Sequence, residues 1–245
     1  MGDAPLVETG RERGFLAHLF GLYFSPGESF VAILKRPGFW LALAAIVAVS
    51  IAFCAVWLLK VDPGEFVKAM LEDSGRWDQI PPDRRAAILE GVGGRFAIQT
   101  WIFGVAGPVV MTLVVALVLL FVFRFFYGGE VTFKQAMTIV CFTFLAVGLV
   151  RTPLMLAVMA LKGDWNLDPR LVLQANPTLL VDKESVAKPL YALLGHLDLF
   201  PIWQMVLLAV GFGVAVRRPA SAALWGVVVP WAIFVAAAVA LGSMF

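Results

Sequence analysis

The sequence predicts an all-α integral membrane protein with five transmembrane helices, and three observations support this prediction. Of the 245 residues, 61% are hydrophobic and 15% are charged, whereas soluble domains have about 45–50% and about 25%. Five apolar stretches are each close to the roughly 20 residues that cross ~30 Å of hydrocarbon. Within them, the only charged residue is Arg151. The predicted spans are residues 38–59, 96–123, 135–161, 199–216 and 222–241.

Residues 1–37 are predicted to form a cytoplasmic and interfacial segment ahead of a membrane domain at 38–245. The polar start does not resemble a secretory signal peptide, which needs an apolar run directly after a basic beginning. Apolar residues then recur at helical spacing and predict an amphipathic helix in the membrane interface, its apolar face toward the acyl chains. These residues are Phe15, Leu16, Leu19, Phe20, Leu22 and Tyr23.

A capping box is predicted at the start of a second short helix. Ser25 would be its N-cap, Pro26 its first residue, and the Glu28 side chain would reach back to the Ser25 backbone. This helix ends at Lys35-Arg36-Pro37, ahead of the first span.

Two long loops, residues 60–95 and 162–198, are expected to carry short helices close to the membrane. The first loop is divided by turn signals at Asp62-Pro63-Gly64 and Pro81-Pro82-Asp83. The second loop has an apolar segment at 190–194 that leads into the fourth span.

Basic residues favour a cytoplasmic N-terminus. The side that holds the N-terminus has eight basic and five acidic residues, and the side of the long loops has ten and twelve. The cytoplasmic excess of Lys and Arg is judged close to the span ends, and Arg124, Lys134, Arg217 and Arg218 crowd two tight turns. We therefore expect a multi-pass protein of the inner (cytoplasmic) membrane with an extracytoplasmic C-terminus.

The composition argues against several functional classes. A net charge of +2 with scattered basic residues does not suggest a nucleic-acid partner. Cys54 and Cys141 each lie within a span and are expected to be small apolar core residues, not a disulfide pair. No catalytic motif, cofactor motif or metal-ligand set is complete, so we expect no enzyme activity, cofactor or metal.

Arg151 is the strongest candidate for a functional residue, because a charge within a span is costly. It lies 17 residues beyond Lys134, or about 25 Å at ~1.5 Å per residue, so its side chain can reach the outer interface. In a structural role, it would bond backbone groups freed by Pro153. In a functional role, it would form an ion pair or contact a substrate.

Asp198 and His196 are the other candidate polar residues. Asp198 directly precedes an apolar run, and its simplest role is to cap the fourth span. An ion pair between Arg151 and Asp198 is a hypothesis, since both are expected near the outer surface. His196 and Asp198 alone do not make a metal site, because His18, the other histidine, is predicted on the opposite side.

Glycines, prolines and tryptophans within the spans have structural explanations. Glycine and proline allow close helix packing or bending, and tryptophan near span ends is typical of aromatic belts. The residues concerned are Gly104, Gly107, Pro108, Gly211, Gly213, Gly226, Pro230, Trp40, Trp57, Trp101, Trp203 and Trp231.

Several patterns resemble the Ypt-interacting-protein (Yip) domain family, in its bacterial branch. They are Ser25-Pro26 with Phe30 and Ile33, Gly128-Gly129 with Thr132-Phe133-Lys134-Gln135, Leu197-Asp198-Leu199-Phe200 with Trp203, and Arg217-Arg218 with Ala222-Ala223. The resemblance covers residues 20 to 240 and implies five spans with a cytoplasmic N-terminus. In the eukaryotic branch it implies contact with Rab-type GTPases, but no Asp-Leu-Tyr-Gly-Pro block is present here, so GTPase binding is not carried over.

Three functional classes remain open. The first is a non-enzymatic scaffold or accessory subunit of a membrane transport, trafficking or envelope assembly, with membrane lipids and an unidentified membrane protein as partners. The second is a small channel or carrier that uses Arg151. The third is an intramembrane enzyme that processes lipid, for which the sequence shows no nucleophile and base at a recognisable spacing. We favour the scaffold, and a tightly packed interior would support it over a carrier.

Overall fold

The computed structural model describes residues 14–173, 175–181 and 185–242. Its described residues are helical with no strand, and a π-helical turn at Ile102–Ala106 joins two of the helices. The α-helices are α1 (Phe15–Phe24), α2 (Pro26–Lys35), α3 (Trp40–Leu58), α4 (Pro63–Asp73), α5 (Pro82–Glu90), α6 (Val92–Trp101), α7 (Gly107–Phe125), α8 (Phe133–Lys162), α9 (Lys188–His196), α10 (Leu199–Val216) and α11 (Ala220–Gly242).

Five helical segments are long and apolar enough to cross a bilayer, as the sequence predicted. They are α3, the continuous segment Val92–Phe125 made of α6, the π turn and α7, then α8, α10 and α11. The predicted bounds of the fourth span agree with α10 at both ends. The protein is therefore an all-helical, multi-pass membrane protein.

Helix α8 is the centre of the bundle. It packs against α3, α7 and α10, and also against the N-terminal helices α1 and α2. Residues 136–143 of α8 are all buried, so this part of the helix is covered by protein on every side. Cys141 lies in this buried run and Cys54 is buried in α3, and neither forms a disulfide, as predicted.

Helices α1 and α2 pack onto the spans. The Tyr23 hydroxyl donates a hydrogen bond to the Ala146 carbonyl of α8 at 2.7 Å. Phe30 of α2 is fully buried between α8 and α10. The predicted position of α1 in the membrane interface explains only one side of this helix, where Phe24 is 86% exposed. On the other side of α1, Leu19 and Leu22 are buried.

Hydrogen-bonding side chains cap several helices, but the predicted box at Ser25 does not form. Ser25 is the N-cap of α2 with Pro26 at the first position, yet its side chain accepts no capping bond. The backbone of Ser25 has ψ 64° instead of the extended value of a usual N-cap. A complete capping box occurs instead at α8, between Thr132 and Gln135.

The π turn in the second span has a cause in the sequence. Pro108 has no N–H and would clash with the carbonyl four residues earlier, that of Gly104. Widening the preceding turn is one way for a helix to accommodate such a proline. Gly104 also lies against the Cys54 sulfur of α3, which leaves no space for a side chain. The predicted packing role of Gly104 is therefore confirmed.

The two long loops contact each other beyond α3 and α8. The Trp57 indole N–H donates to the Trp165 carbonyl at 2.9 Å, and the Asp62 N–H donates to Asn166 Oδ1 at 2.8 Å. Trp57 is buried with Phe96 and Met159 in a second apolar cluster. It is thus not the lipid-facing belt residue that its place near a span end suggested.

Candidate functional site

A pocket of about 270 Å³ brings the three predicted polar residues together. Arg151 comes from α8, His196 is the last residue of α9, and Asp198 immediately precedes α10. We call this cavity the Arg151 pocket. Its other lining residues are Arg170, Leu171, Asn176, Thr178, Tyr191, Gly195, Pro201 and Trp231.

The Arg151 guanidinium has no hydrogen-bond or ion-pair partner among the described residues. Its Nε atom is buried and unbonded, and its Cζ lies 6.0 Å from the centre of the Phe200 ring. That distance is at the outer limit of a cation–π contact. Among the described residues, Arg151 forms no bond to the backbone near Pro153, so a structural role at that proline stays a prediction.

Asp198 has a structural role at the edge of the pocket. Its Oδ1 accepts the Phe200 N–H at 3.0 Å and caps α10, as the sequence predicted. Its Oδ2 accepts the Ala175 N–H at 2.8 Å. Both carboxylate oxygens therefore bond backbone amides, and the predicted salt bridge with Arg151 does not form.

The segment around Asn176 closes one side of the pocket. The Asn176 amide donates to the Gly195 carbonyl at 3.3 Å, which ties this segment to α9. Its Oδ1 accepts the Thr178 N–H at 3.1 Å and also the Thr178 hydroxyl. The Leu199 N–H donates to the Ala175 carbonyl at 3.2 Å, so the same segment is held against the start of α10.

Arg170 is the second cation of the pocket, and it is neutralised locally. Its guanidinium forms a 2.6 Å salt bridge with Asp168, although the Arg170 side chain is 79% exposed. Burial alone would raise the pKa of the Asp168 carboxyl, but the hydrogen bonds and charge of Arg170 outweigh it and hold that pKa below its usual value. The hydrogen bonds that Arg170 donates to the Asp168 carboxylate raise the pKa of Arg170. Arg151 therefore differs from Arg170 in forming no salt bridge with a described residue, although the Asp198 carboxylate lines the same pocket.

The donor set of the pocket suits an anion better than a cation. Among the described residues, no three His, Cys, Asp or Glu side chains come together in a way that could hold a metal ion. The His196 and Asp198 side chains share the pocket, and each Asp198 oxygen accepts one backbone N–H, but two such residues do not make a metal site. An unneutralised guanidinium with neighbouring polar side chains can accept an anionic group.

Sequence reasoning missed half of the pocket. Asn176, Tyr191 and Arg170 were not singled out as candidate site residues. Trp231 was assigned to an aromatic belt, whereas it lines the Arg151 pocket. The Asn-Pro turn at Asn176 was the available signal, since such a turn can place an amide side chain at a helix junction.

The family model described as the Yip1 domain matches residues 20–241. No curated protein and no solved structure matches the chain. The matched region includes α2, the five candidate spans and the Arg151 pocket, and residues 1–19 and 242–245 lie outside it. The chain therefore belongs to the Yip1 domain family.

Proposed function

We propose that this protein is a non-enzymatic scaffold or accessory subunit of a membrane transport, trafficking or envelope assembly. The observation that supports it is the packing of the interior. Phe30, Phe123 and Phe212 are fully covered by neighbouring helices in one apolar cluster. Such a core holds helices in fixed positions and leaves no space for a substrate beside these three side chains.

Buried polar side chains within the spans do not form a path for an ion. The Thr112 hydroxyl donates to the Pro108 carbonyl of its own helix at 2.7 Å, and the Thr138 hydroxyl donates to the Lys134 carbonyl at the same distance. Both bonds lie within one helix and bridge no neighbours. A carrier with a central site would need polar groups from several helices to converge, and the described part of the bundle shows no such convergence. The small channel or carrier is therefore the weaker candidate.

The close approaches at glycine also favour a rigid body. A Cβ at Gly226 of α11 would lie 2.8 Å from Cζ of Phe123 in α7 and 2.9 Å from Cε2 of Tyr127, which follows α7. A Cβ at Gly129 would lie 2.5 Å from Val216 Cγ1. Contacts this close are shorter than ordinary van der Waals separations of about 3.5–4.0 Å. Helices packed in this way are suited to presenting fixed surfaces to a partner.

Recovery of a stoichiometric partner in mild detergent tests the scaffold. The full chain and the variant Gly148→Ala, which meets no atom within 4 Å of its new Cβ, should both retain the partner. The variant Gly211→Ile should lose it, because its larger side chain would disturb the packed core. A protein captured equally by all three chains would be a contaminant. Repeated recovery of the intact chain alone would contradict the proposal.

The proposal includes the bacterial branch, the inner membrane, a cytoplasmic N-terminus and the absence of a GTPase partner. Topology can be tested directly, because both native cysteines are buried. Ser74→Cys lies in the first long loop and should react with a membrane-impermeant maleimide from outside intact cells. Glu130→Cys lies in the turn between α7 and α8 and should react only after permeabilisation. The reverse pattern would contradict the proposed orientation.

A further inference from the structure

We propose that the Arg151 pocket binds the phosphate group of a membrane phospholipid. This site is independent of the scaffold proposal, since a lipid can bind with or without a protein partner. Three features support this site: the Arg151 guanidinium without a salt bridge to a described residue, the other side chains around it, and the position of the pocket along the spans.

The described residues supply no hydrogen-bond acceptor for the Arg151 guanidinium. Its Nε is buried without a bond, and each oxygen of the Asp198 carboxylate, which lines the same pocket, accepts a backbone N–H. A buried donor without an acceptor is unfavourable. The planar fork of an arginine matches the oxygens of a phosphate and can form two parallel bonds with it.

Further donors face the same cavity. Tyr191 and His196 of α9 line it together with Arg151, and each carries a side-chain group that can donate to a phosphate oxygen. Arg170 adds a second positive charge at the rim, although its salt bridge with Asp168 reduces its effect. A phosphate would therefore have the guanidinium of Arg151, which forms no salt bridge, and additional donors, while the Asp198 carboxylate at the edge of the pocket is bonded by backbone N–H groups.

The position of the pocket points to a lipid as the source of the phosphate. Arg151 lies 18 residues beyond the first residue of α8, or about 27 Å at ~1.5 Å per residue, close to the ~30 Å thickness of the hydrocarbon. The pocket also includes the start of α10, so it lies where a span leaves the hydrocarbon. Lipid headgroups occupy this level of the bilayer.

The size and walls of the pocket suit a headgroup but not a whole lipid. Its volume of about 270 Å³ is just below the range of about 300–1,000 Å³ for small-molecule sites. Leu171, Pro201 and Trp231 give it apolar walls beside the polar ones. The headgroup would occupy the pocket while the acyl chains lie along the outer surface of the bundle.

Thermal unfolding in a phosphate-free sugar detergent tests this site with three ligands. Phosphatidylglycerol carries both the phosphate and the acyl chains, diacylglycerol carries the chains alone, and inorganic phosphate carries the anion alone. Because a ligand that binds the folded state raises its stability, phosphatidylglycerol should raise the melting temperature of the full chain. Diacylglycerol and inorganic phosphate at equal concentration should raise it much less.

Variants locate the effect. Arg151→Gln should weaken phosphatidylglycerol binding about ten- to a hundredfold, the usual effect of losing a charge-assisted bond, and Arg151→Lys should weaken it less. Arg124→Gln removes an exposed cation of α7 and should bind as the native chain does. Because Arg151 has no partner, Arg151→Gln should unfold at nearly the native temperature without lipid.

Several results would overturn the proposal. Equal stabilisation by inorganic phosphate would identify a site for a soluble anion, and equal stabilisation by diacylglycerol would remove the role of phosphate. A native response of Arg151→Gln to phosphatidylglycerol would place the lipid elsewhere. If Arg151→Gln does not fold, Arg151→Lys takes its place, and a native response of Arg151→Lys to phosphatidylglycerol would likewise place the lipid elsewhere.

Discussion

Adding one methyl group at Gly211 should weaken the packing between α2, α8 and α10. An alanine Cβ at this position would lie 2.5 Å from Ile139 Cγ2 and 3.1 Å from Phe30 Cζ. Favourable separations between carbon atoms are about 3.5–4.0 Å, so the nearest overlap is about 1 Å. Ile139 and Phe30 are fully buried and have little room to move. Overpacking of this kind costs about 1–3 kcal/mol.

Thermal unfolding of the purified chain in detergent measures the effect of Gly211→Ala. For a chain of this size, 1 kcal/mol shifts the melting temperature by about 2–4 °C, so we expect a decrease of roughly 2–12 °C. Gly148→Ala in α8 is the matched control, because a Cβ there meets nothing within 4 Å. It should be neutral or slightly stabilising, since alanine favours a helix by about 1 kcal/mol over glycine.

A double variant distinguishes this contact from a general effect of alanine. Ile139→Ala removes the Cγ2 atom that the new methyl group would overlap, although alone it should cost about 2–5 kcal/mol. In its presence, Gly211→Ala should cost much less than in the native background. Full additivity, or native stability of Gly211→Ala, would refute the close approach of α10 to α8 at Gly211 and Ile139.

Three further predictions concern the helix ends and the loop beyond α8. Asp198→Ala should lower the free energy of unfolding by about 1–3 kcal/mol, because it removes the cap of α10 and the bond to the Ala175 N–H. Asp198→Asn can still cap the helix, so it should lower the free energy of unfolding by less in the same assay. Arg217 has a left-handed φ of 54°, so Arg217→Gly should raise the free energy of unfolding by roughly 0.5–1 kcal/mol. The neighbouring Arg218 has no positive φ, so Arg218→Gly should not raise it. The folded pKa of Asp168 lies below its unfolded value of about 3.9, so its stabilising effect is present above that pH and is lost as the pH falls through the folded pKa. The melting temperatures of Asp168→Asn and the native chain should therefore differ at neutral pH and converge as the pH falls below about 4.

The sequence predicted the spans well because a bilayer imposes a length and a composition on each of them. It also predicted the cap at Asp198, because that signal is local. It did not predict that α1 and α2 pack against α8 and α10. Side chains that face lipid and side chains that face protein are equally apolar within a membrane, so Phe24 and Phe30 look alike in sequence although one is exposed and the other is buried.

The site was predicted only in part for a different reason. Arg151 stands out because it is charged, and its position along α8 follows from counting residues. Its surroundings depend on contacts between segments distant in the chain, such as the bond from Ala175 to Asp198. That bond occupies the carboxylate that the sequence offered as a partner for Arg151. Periodicity and spacing carry no information about such a competition.

The packing of the N-terminal helices has a consequence for the order of assembly. Tyr23 and the residue it bonds, Ala146, are 123 positions apart, and Phe30 rests beside Gly211, which is farther still along the chain. When the ribosome releases α1 and α2, neither partner helix has yet been synthesised. These two helices must wait at the membrane surface until α8 and α10 have been inserted. The part of the chain that is made first is thus among the last to reach its final place.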